Sequence, residues 1–237
     1  MTDTLPLSGK LALVTGASRG IGAATAEALA AAGAHVILTA RTSGGLEEVE
    51  ERIHEAGGHA TIAPLDLIDG ESIGRLAQAI GGRWQALDIL VLNAATLGSL
   101  AAVPAIDAKE FARLLTLNVA APQALIAAFD PMLRASKDAR LVALTSSRAT
   151  APRAYWGAYG ASKAALETLV GTYGEEVKNI SAIRTHIVDP GATRTAMRAR
   201  AFPGEDPATL KGPEIVADAI VDIIAADTPT GHRMRVG

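Results

Sequence analysis

The sequence predicts an α/β fold: a single doubly wound domain with a mostly parallel, seven-stranded sheet and helices on both faces. Three observations predict it. Short apolar runs of strand length alternate with helical patterns along the 237-residue chain, as in parallel sheets with helical crossovers. The runs are continuously apolar, as strands buried on both faces require. A glycine-rich turn follows the first run, at the sheet edge where such folds bind ligands.

The predicted elements alternate in chain order without an internal boundary, repeat or linker, so we predict one domain over 1–237. The strands are KLALVT (10–15), HVILTA (35–40), HATIAPLD (59–66), LDILVLNAA (87–95), RLVALTSS (140–147), AIRTHIVDPG (182–191) and HRMRV (232–236). The helices cover 23–33, 46–57, 71–80, about 107–135, about 157–179 and about 213–226.

The composition restricts what the chain can do. It has 22 basic and 25 acidic residues without a basic run, which argues against a nucleic-acid or membrane surface. It has no cysteine, which excludes disulfides, thiolate chemistry and cysteine-ligated metals and favours a reducing compartment. The start MTDTLPLSGK lacks the basic and apolar regions of a signal peptide, so we predict a cytoplasmic protein.

One uncharged segment, Ile89 to Ile106, is long enough to cross a bilayer. Asn93, Gly98, Ser99 and Pro104 interrupt it, and its apolar part before Asn93 is only as long as a strand. We therefore interpret it as a buried strand followed by a loop, and we predict no membrane partner.

The turn TGASRGIG (15–22) lies between the first strand and the first helix. Glycines at 16, 20 and 22 permit a tight turn and let backbone N–H groups approach a pyrophosphate, while the helix N-terminus favours negative charge. A glycine triad alone is weak evidence, but strand, turn and helix stand here in the required order. The sequence therefore predicts a dinucleotide site at this turn.

The stretch AYWGAYGASKAAL (154–166) holds two of the three tyrosines and one lysine. Residues four apart share a helix face, so we expect Tyr159 and Lys163 to point the same way, and also Tyr155 and Tyr159. Tyr155 has no lysine four residues on, which leaves Tyr159 as the candidate for proton transfer. We expect a nearby ammonium to favour the phenolate and thus to lower the pKa of this tyrosine.

The chain resembles the classical short-chain dehydrogenase/reductase family over nearly its whole length. Beyond the glycine spacing and the pair Tyr159–Lys163, several motifs in the family's order carry the resemblance. They are Asp66 after the third strand, Asn93-Ala94-Ala95 after the fourth, Asn118 in the long helix, Ser146 thirteen residues before Tyr159, and Pro190-Gly191 with Thr195. The resemblance implies a single Rossmann-type domain that binds NAD(P).

The resemblance also implies residue roles. Tyr159 would act as general acid and base, and Lys163 would assist it and bind the nicotinamide ribose. Ser146 would hold the substrate oxygen, and Asn118 would anchor a water relay. We place Ser146, Tyr155, Trp156 and Tyr159 at the substrate mouth. Cofactor contacts are implied for Gly16, Ser18, Arg19, Gly20, Ile21, Gly22, Arg41, Asp66, Asn93, Ala94, Lys163, Pro190, Gly191, Thr193 and Thr195.

The end of the second strand favours NADP(H) over NAD(H). An acidic residue there would bind the ribose 2′-hydroxyl, whereas a basic residue accommodates a 2′-phosphate. The chain has Ala40 where NAD-preferring members of the family carry Asp, and Arg41 follows it. Arg19 can approach the same phosphate from the other side through charge-assisted hydrogen bonds. The alternative is that both arginines are solvated loop residues, in which case the protein could use NAD(H).

Other assignments also keep alternatives. Asp66 could instead cap the following helix, Asn118 could be a helix-interior amide bonded to backbone, and Ser147 could take the place of Ser146. The five histidines form no spaced cluster and no HExxH occurs, so we predict no catalytic metal.

Substrate and assembly are the last predictions. The segment MRARAFPGEDPATLKGP (197–213) stands where the family has its substrate lid. Its Arg198 and Arg200 could attract an anionic substrate or be solvated. The helices at 107–135 and 157–179 resemble the family's dimer-forming pair, so we predict a homodimer, with a homotetramer as the alternative.

We therefore predict an NADP(H)-dependent oxidoreductase that transfers a hydride between the nicotinamide and a carbonyl or secondary alcohol. The alternative is a non-catalytic NADP(H)-binding sensor or scaffold. Proteins of that kind on this fold typically lose the tyrosine or the lysine, whereas this chain keeps Asn118, Ser146, Tyr159 and Lys163.

Overall fold

The computed structural model describes residues 5–237. The prediction that the chain starts without a signal peptide falls partly on residues 1–4, which lie outside the described residues. In the described part, seven strands form one sheet in the order β3-β2-β1-β4-β5-β6-β7. Every pairing between neighbouring strands is parallel. The predicted sheet is confirmed, and it is wholly parallel. The strands are β1 Leu11–Thr15, β2 His35–Thr39, β3 His59–Ile62, β4 Ile89–Leu92, β5 Arg140–Leu144, β6 Arg184–Asp189 and β7 His232–Arg235.

Helices connect the strands and cover both faces of the sheet. α1, α2 and α8 share one aliphatic cluster with one face, and α3, α5 and α6 share a second cluster with the other. Phe129 is the largest fully buried side chain in a core made mainly of aliphatic residues. The helices are α1 Gly20–Ala31, α2 Ser43–Glu55, α3 Gly70–Gly81, α4 Ala108–Leu115, α5 Ala121–Ala135, α6 Gly157–Val177, α7 Ala196–Ala201 and α8 Pro213–Ala225.

The centre of the sheet positions the site. β1 pairs with β2 on one side and with β4 on the other. The strand order reverses at this point, so the helices that follow β1 and β4 lie on opposite faces of the sheet, and a crevice forms at the carboxyl ends of the strands. The glycine turn and the loop that begins at Asn93 meet in that crevice.

The helix predicted at 107–135 is interrupted. α4 ends at Leu115, a π-helical turn covers Thr116–Ala120, and α5 begins at Ala121. The helix predicted at 157–179 begins as expected and ends at Val177. Single π-helical turns within helices are frequent at functional sites, and this one carries Asn118.

The uncharged segment Ile89 to Ile106 is a strand followed by a loop with a 3₁₀ turn at Val103–Ala105, which confirms its interpretation. A different stretch, Ala108–Ala135, is long and apolar enough to cross a membrane by length and composition alone. Of its most apolar 18-residue part, 28% is buried inside the protein. Its inner face carries Phe129 into the core beside the sheet, so it is an element of this fold.

His186 on β6 is fully buried, and neither of its ring nitrogens has a hydrogen-bond partner. Burial and then the charges of Arg140, His232 and Arg184 lower its pKa from 6.5 to about 4. The folded protein therefore keeps this ring neutral between those two values, whereas the unfolded chain binds a proton there. The stability that depends on the neutral ring is present above the unfolded pKa and is lost as the pH falls towards 4.

Replacing His186 by leucine should remove this pH dependence. The variant should become more stable relative to the wild type as the pH falls. We expect the difference in free energy of unfolding, variant minus wild type, to be about 2 kcal/mol larger at about pH 5 than at about pH 7.5. Urea denaturation at the two pH values measures the difference. His54→Leu, on the exposed surface of α2, is the control. Its difference from the wild type in free energy of unfolding should be the same at both pH values. The same pH dependence in wild type and His186→Leu would contradict the prediction.

Candidate active site

The turn between β1 and α1 has a backbone that glycine adopts readily and other residues do not. Gly16 and Gly20 have φ angles of +68° and +58°. At Gly22 the restriction is space, because a Cβ there would lie 2.3 Å from the Gly16 carbonyl oxygen and 2.5 Å from Asn93 Nδ2. Each of the three predicted glycines is thus required by conformation or by close approach.

Hydrogen bonds from the end of β4 hold this turn in place. Asn93 Nδ2 donates to the carbonyls of Thr15 (2.8 Å) and Gly16 (3.3 Å). The Thr15 hydroxyl accepts from the backbone N–H groups of Asn93 (3.0 Å) and Ala94 (3.1 Å) and donates to the Val91 carbonyl (3.0 Å). Asn93 and Ala94 therefore shape the turn, and their direct contact with a cofactor stays a prediction.

The N-terminus of α1 has no side-chain cap. Arg19 is the residue before the helix, and neither a side-chain cap nor an acidic residue occupies the first turn. The first N–H groups of a helix lack intrahelical partners, so this end suits a phosphate. The turn packs against α2, since a Cβ on Gly45 would lie 3.0 Å from Ser18 Cβ. Ile21 packs against the aliphatic cluster beneath it.

Arg19 and Arg41 follow two neighbouring strands. β1 and β2 pair Thr15 with Thr39 at their ends, so the residues that follow lie at the same edge of the sheet. Both arginines are exposed. Within residues 5–237, neither guanidinium takes part in a hydrogen bond or an ion pair, so both are available to an anion.

Asp66 lies exposed in the loop after β3. Its Oδ1 accepts the backbone N–H of Ile68 at 3.1 Å, which closes a local turn. The residue that caps α3 is Asp69, whose side chain accepts from the Glu71 N–H. The helix-cap alternative for Asp66 is therefore wrong, and its cofactor contact stays a prediction.

Ser146 lies just after β5, and Tyr159 lies in the first turn of α6. The Ser146 side chain lies close enough to the Tyr159 hydroxyl to favour a lower pKa of Tyr159. The Ser146 hydroxyl also accepts from the Arg148 N–H at 3.2 Å. The Ser147 hydroxyl instead accepts from the Arg148 guanidinium at 3.1 Å. Of the two serines, Ser146 is the one that contacts the tyrosine.

Lys163 lies one turn further along α6 and is 3% exposed. Its ammonium donates to the Leu144 carbonyl at 2.8 Å, and Nζ lies 5.8 Å from the centroid of the Tyr159 ring. Burial lowers the pKa of Lys163 to about 8, while the charge of Glu167 acts in the opposite direction. The fold therefore brings Lys163, Tyr159 and Ser146 together at the carboxyl end of β5.

The pKa of Tyr159 departs from the expectation. Burial and then the charge of Asp189 raise it to about 12, although the nearby Ser146 side chain acts to lower it. The side chain is 7% exposed, so loss of solvation penalises the phenolate more than its partners favour it. The expected lowering is thus wrong for the polypeptide alone, in which Tyr159 keeps its proton at neutral pH.

Asn118 lies in the π-helical turn and is 1% exposed. Its Oδ1 accepts from the Thr96 N–H at 2.8 Å, and its Nδ2 donates to the Thr96 carbonyl (2.9 Å) and to Ser162 Oγ (3.0 Å). Ser162 Oγ donates in turn to the Tyr159 carbonyl at 2.8 Å. The side chain is thus an amide bonded to backbone, as in the alternative interpretation. Through Thr96 and Ser162 it links the loop after β4 to α6. Its part in a water relay stays a prediction.

Tyr155 does not lie on the helix face predicted for it. α6 begins at Gly157, and Tyr155 precedes it with a φ of +71°, the only positive φ of a non-glycine residue in the described chain. Its side chain is 63% exposed, and its carbonyl accepts from the Ala101 N–H at 3.2 Å. The predicted alignment with Tyr159 is therefore wrong, because the chain turns sharply before the helix. A substrate contact stays a prediction.

Trp156 joins the tyrosine to the segment after α7. Its ring lies 5.9 Å from that of Tyr159, edge to face, and 5.6 Å from that of Phe202. The Arg198 guanidinium lies 3.8 Å from the centre of the Phe202 ring. The sequence predictions do not include Phe202, although a phenylalanine within the expected lid of a chain with only three is a signal that could have found it.

The two lid arginines are bonded within the protein. Arg198 forms a bidentate ion pair with Glu205, with both distances at 2.5 Å. Arg200 donates to the Gly98 carbonyl at 2.6 Å. The charge of Arg198 is therefore compensated by Glu205, and Arg200 joins the segment 197–213 to the loop after β4. This arrangement does not favour the suggestion that the pair attracts an anionic substrate.

The loop after β6 runs towards the glycine turn. It begins with Pro190 and Gly191, and the glycine has a φ of +63°. The Thr193 hydroxyl donates to the Pro190 carbonyl at 2.9 Å, which stabilises the loop. Thr195 caps α7, and its methyl group lies 3.5 Å from where a Cβ on Gly20 would be. Thr195 is therefore the residue of this loop that reaches the turn.

No group of three His, Cys, Asp or Glu side chains that could hold a metal ion is found in residues 5–237. The absence of a catalytic metal, the absence of a nucleic-acid partner and the cytoplasmic location all stay predictions.

Known proteins share this fold and much of this sequence. The family model described as short chain dehydrogenase matches residues 10–206. The oxidoreductase YciK of Escherichia coli K12 is 38% identical over 210 residues, which cover 87% of this chain and 82% of its own. Two solved short chain dehydrogenases, one of Shigella flexneri complexed with NADP and one of Escherichia coli CFT073 complexed with NADPH, each have a TM-score of 0.94, 35% identity and 99% coverage of both chains. The chain therefore belongs to the short chain dehydrogenase family and is an oxidoreductase.

Proposed function

We propose that the protein is an NADP(H)-dependent oxidoreductase that transfers a hydride between the nicotinamide and a carbonyl or secondary alcohol. The observation that carries the proposal is the group formed by Ser146, Tyr159 and Lys163 at the carboxyl end of β5. The glycine turn lies at the same edge of the sheet, so a dinucleotide that binds there would extend towards this group.

The residues around the turn fit NADP(H). The glycines let the turn lie tightly against the loop after β4, since a Cβ on Gly16 would lie 2.9 Å from Asn93 Nδ2. The first turn of α1 offers unpaired N–H groups to a phosphate. Arg19 and Arg41 are exposed beside it, and Ala40 offers no carboxylate to a ribose hydroxyl. The NADP and NADPH complexes of the similar structures support the same choice.

When bound, the cofactor supplies the hydride, and the chain's residues manage the proton and the substrate oxygen. Ser146 would donate a hydrogen bond to the oxygen, where negative charge develops. Tyr159 would give its proton to that oxygen, because its pKa of about 12 keeps the hydroxyl protonated at neutral pH. The ammonium of Lys163 would favour the phenolate that remains.

The substrate mouth is rich in apolar side chains. Trp156 packs against both Tyr159 and Phe202, and Tyr155, the residue before Trp156, is 63% exposed. Val103 is 71% exposed, and a Cβ on Gly157 at the start of α6 would lie 3.1 Å from its Cγ2. A cluster of exposed apolar groups at a cleft favours a carbonyl substrate with an apolar substituent.

α5 and α6 are the surfaces proposed for self-association. The apolar window in Ala108–Ala135 is only 28% buried within one chain, so much of it lacks cover. Apolar surface of this kind is removed from water when a second copy packs against it. The assembly proposed is a homodimer, and a homotetramer would need a further interface.

Purified protein tests the function. NADPH and NADH are titrated separately by calorimetry, and a panel of aldehydes and ketones with apolar substituents is then added with NADPH. Multiple turnovers, followed by the loss of NADPH absorbance, are the expected result. Tight NADPH binding without turnover on any carbonyl would favour the sensor or scaffold instead. A protein that binds neither cofactor would contradict both functions.

A further inference from the structure

Glu167 is a buried carboxylate beside the candidate active site. It lies on α6 four residues after Lys163 and is 9% exposed. Carboxylates are seldom buried unless charge or hydrogen bonds compensate them, because loss of solvation is costly. None of the roles assigned above to the catalytic or cofactor residues includes it.

Two groups from different parts of the sheet bind this carboxylate. The Thr145 hydroxyl donates to Oε1 at 2.5 Å, and the Arg233 guanidinium of β7 pairs with Oε2. Thr145 immediately precedes Ser146, and its own N–H donates to the Val188 carbonyl of β6 at 2.8 Å. Glu167 therefore holds the short backbone segment that carries Ser146.

The same carboxylate lies one helical turn from Lys163 on α6. Residues four apart share a helix face, and the negative charge of Glu167 raises the pKa of Lys163 against the effect of burial. The other charged side chains near Glu167 and Lys163 have different partners. Asp189 on β6 affects the tyrosine, Arg148 is bonded to a serine hydroxyl, and Arg233 is held by Glu167 itself.

We propose that Glu167 is a positioning residue for the reaction, which supports the protonated form of Lys163 and fixes Ser146 through Thr145. The proposal rests on the proposed function, because both residues that it serves belong to the proposed catalytic group. Arg233 extends the arrangement to the last strand of the sheet. Glu167 acts through these neighbours and not on the substrate.

Glu167→Gln separates the charge of this residue from its shape. The amide keeps the size and an acceptor for Thr145. We expect kcat for carbonyl reduction to fall about tenfold with KM within about twofold, and the basic limb of the pH profile to move about one pH unit lower. The limb moves because Lys163 loses its proton more easily without the carboxylate. Glu176→Gln, at an exposed position on the same helix, is the matched control and should leave both unchanged.

A second readout does not depend on turnover. The Lys163 ammonium is titrated by NMR in protein with labelled lysine, and Lys163→Met assigns its signal. In Glu167→Gln this signal should titrate at lower pH than in the wild type. In Thr145→Val it should titrate as in the wild type while kcat falls, because only the link to Ser146 is cut.

The two readouts distinguish the outcomes. Equal titrations and equal pH profiles in wild type and Glu167→Gln would overturn the proposal. A lower kcat with a lower melting temperature but an unchanged Lys163 titration would also overturn it, since the role would then be merely structural. A shifted titration in a protein that reduces no carbonyl would leave the coupling of Glu167 to Lys163 intact and reject the proposed function.

Discussion

Replacing Tyr159 by phenylalanine is expected to lower kcat for NADPH-dependent carbonyl reduction by about 1,000-fold, with the Kd for NADPH within about twofold. The change removes one hydroxyl, which lies close to Ser146 in a side chain that is 7% exposed. The substrate oxygen would then lack its proton donor. The ring still packs edge to face against Trp156, so the pocket keeps its shape. Initial rates at saturating NADPH and calorimetric titration measure the two quantities.

Tyr173→Phe is the matched control for this variant. Tyr173 lies on the same helix, and its hydroxyl donates to Asp130 at 2.7 Å, outside the candidate site. The control should keep its kcat while it loses about 1 kcal/mol of stability with that hydrogen bond. If Tyr159→Phe reduced carbonyls as fast as this control, Tyr159 would not be the proton donor.

Features that depend on local pattern were predictable from the sequence. The glycines at 16, 20 and 22 follow an apolar strand and open a helix, and the structure requires each of them. The π-helical turn Thr116–Ala120 was not predictable, because the apolar pattern continues through it. The position of Tyr155 was not predictable either. The helix start at about 157 was predicted, but the φ of +71° at Tyr155 just before it is rare for a residue other than glycine, and no sequence signal marks it.

The charge balance of the site also needed the structure. The expectation for Tyr159 considered the ammonium of Lys163 alone, whereas burial, which no sequence pattern measures, has the larger effect on the tyrosine pKa. The contacts of Glu167 with Thr145 and Arg233 join three elements that are far apart in the chain. Only the strand order β5-β6-β7 beside α6 brings them together.

Replacing Arg19 and Arg41 together by alanine is expected to raise the Kd for NADPH roughly 100-fold and to leave the Kd for NADH within about threefold. Both guanidinium groups are exposed at the ends of neighbouring strands and are not engaged by any described carboxylate. Each would lose charge-assisted hydrogen bonds to the 2′-phosphate, which NADH lacks. Calorimetric titration of both cofactors measures the ratio.

Salt and a matched arginine variant separate this effect from a general loss of affinity. The affinity of the wild type for NADPH should fall with added salt more steeply than that of the double variant, because exposed charges are screened. Arg52→Ala, which removes an arginine paired with Glu27 at 2.6 Å, should bind both cofactors as the wild type does. An equal loss of NADPH and NADH affinity in the double variant would mean that the arginines bind the pyrophosphate that both cofactors share. The discrimination would then rest on Ala40, which offers the ribose 2′-hydroxyl no carboxylate.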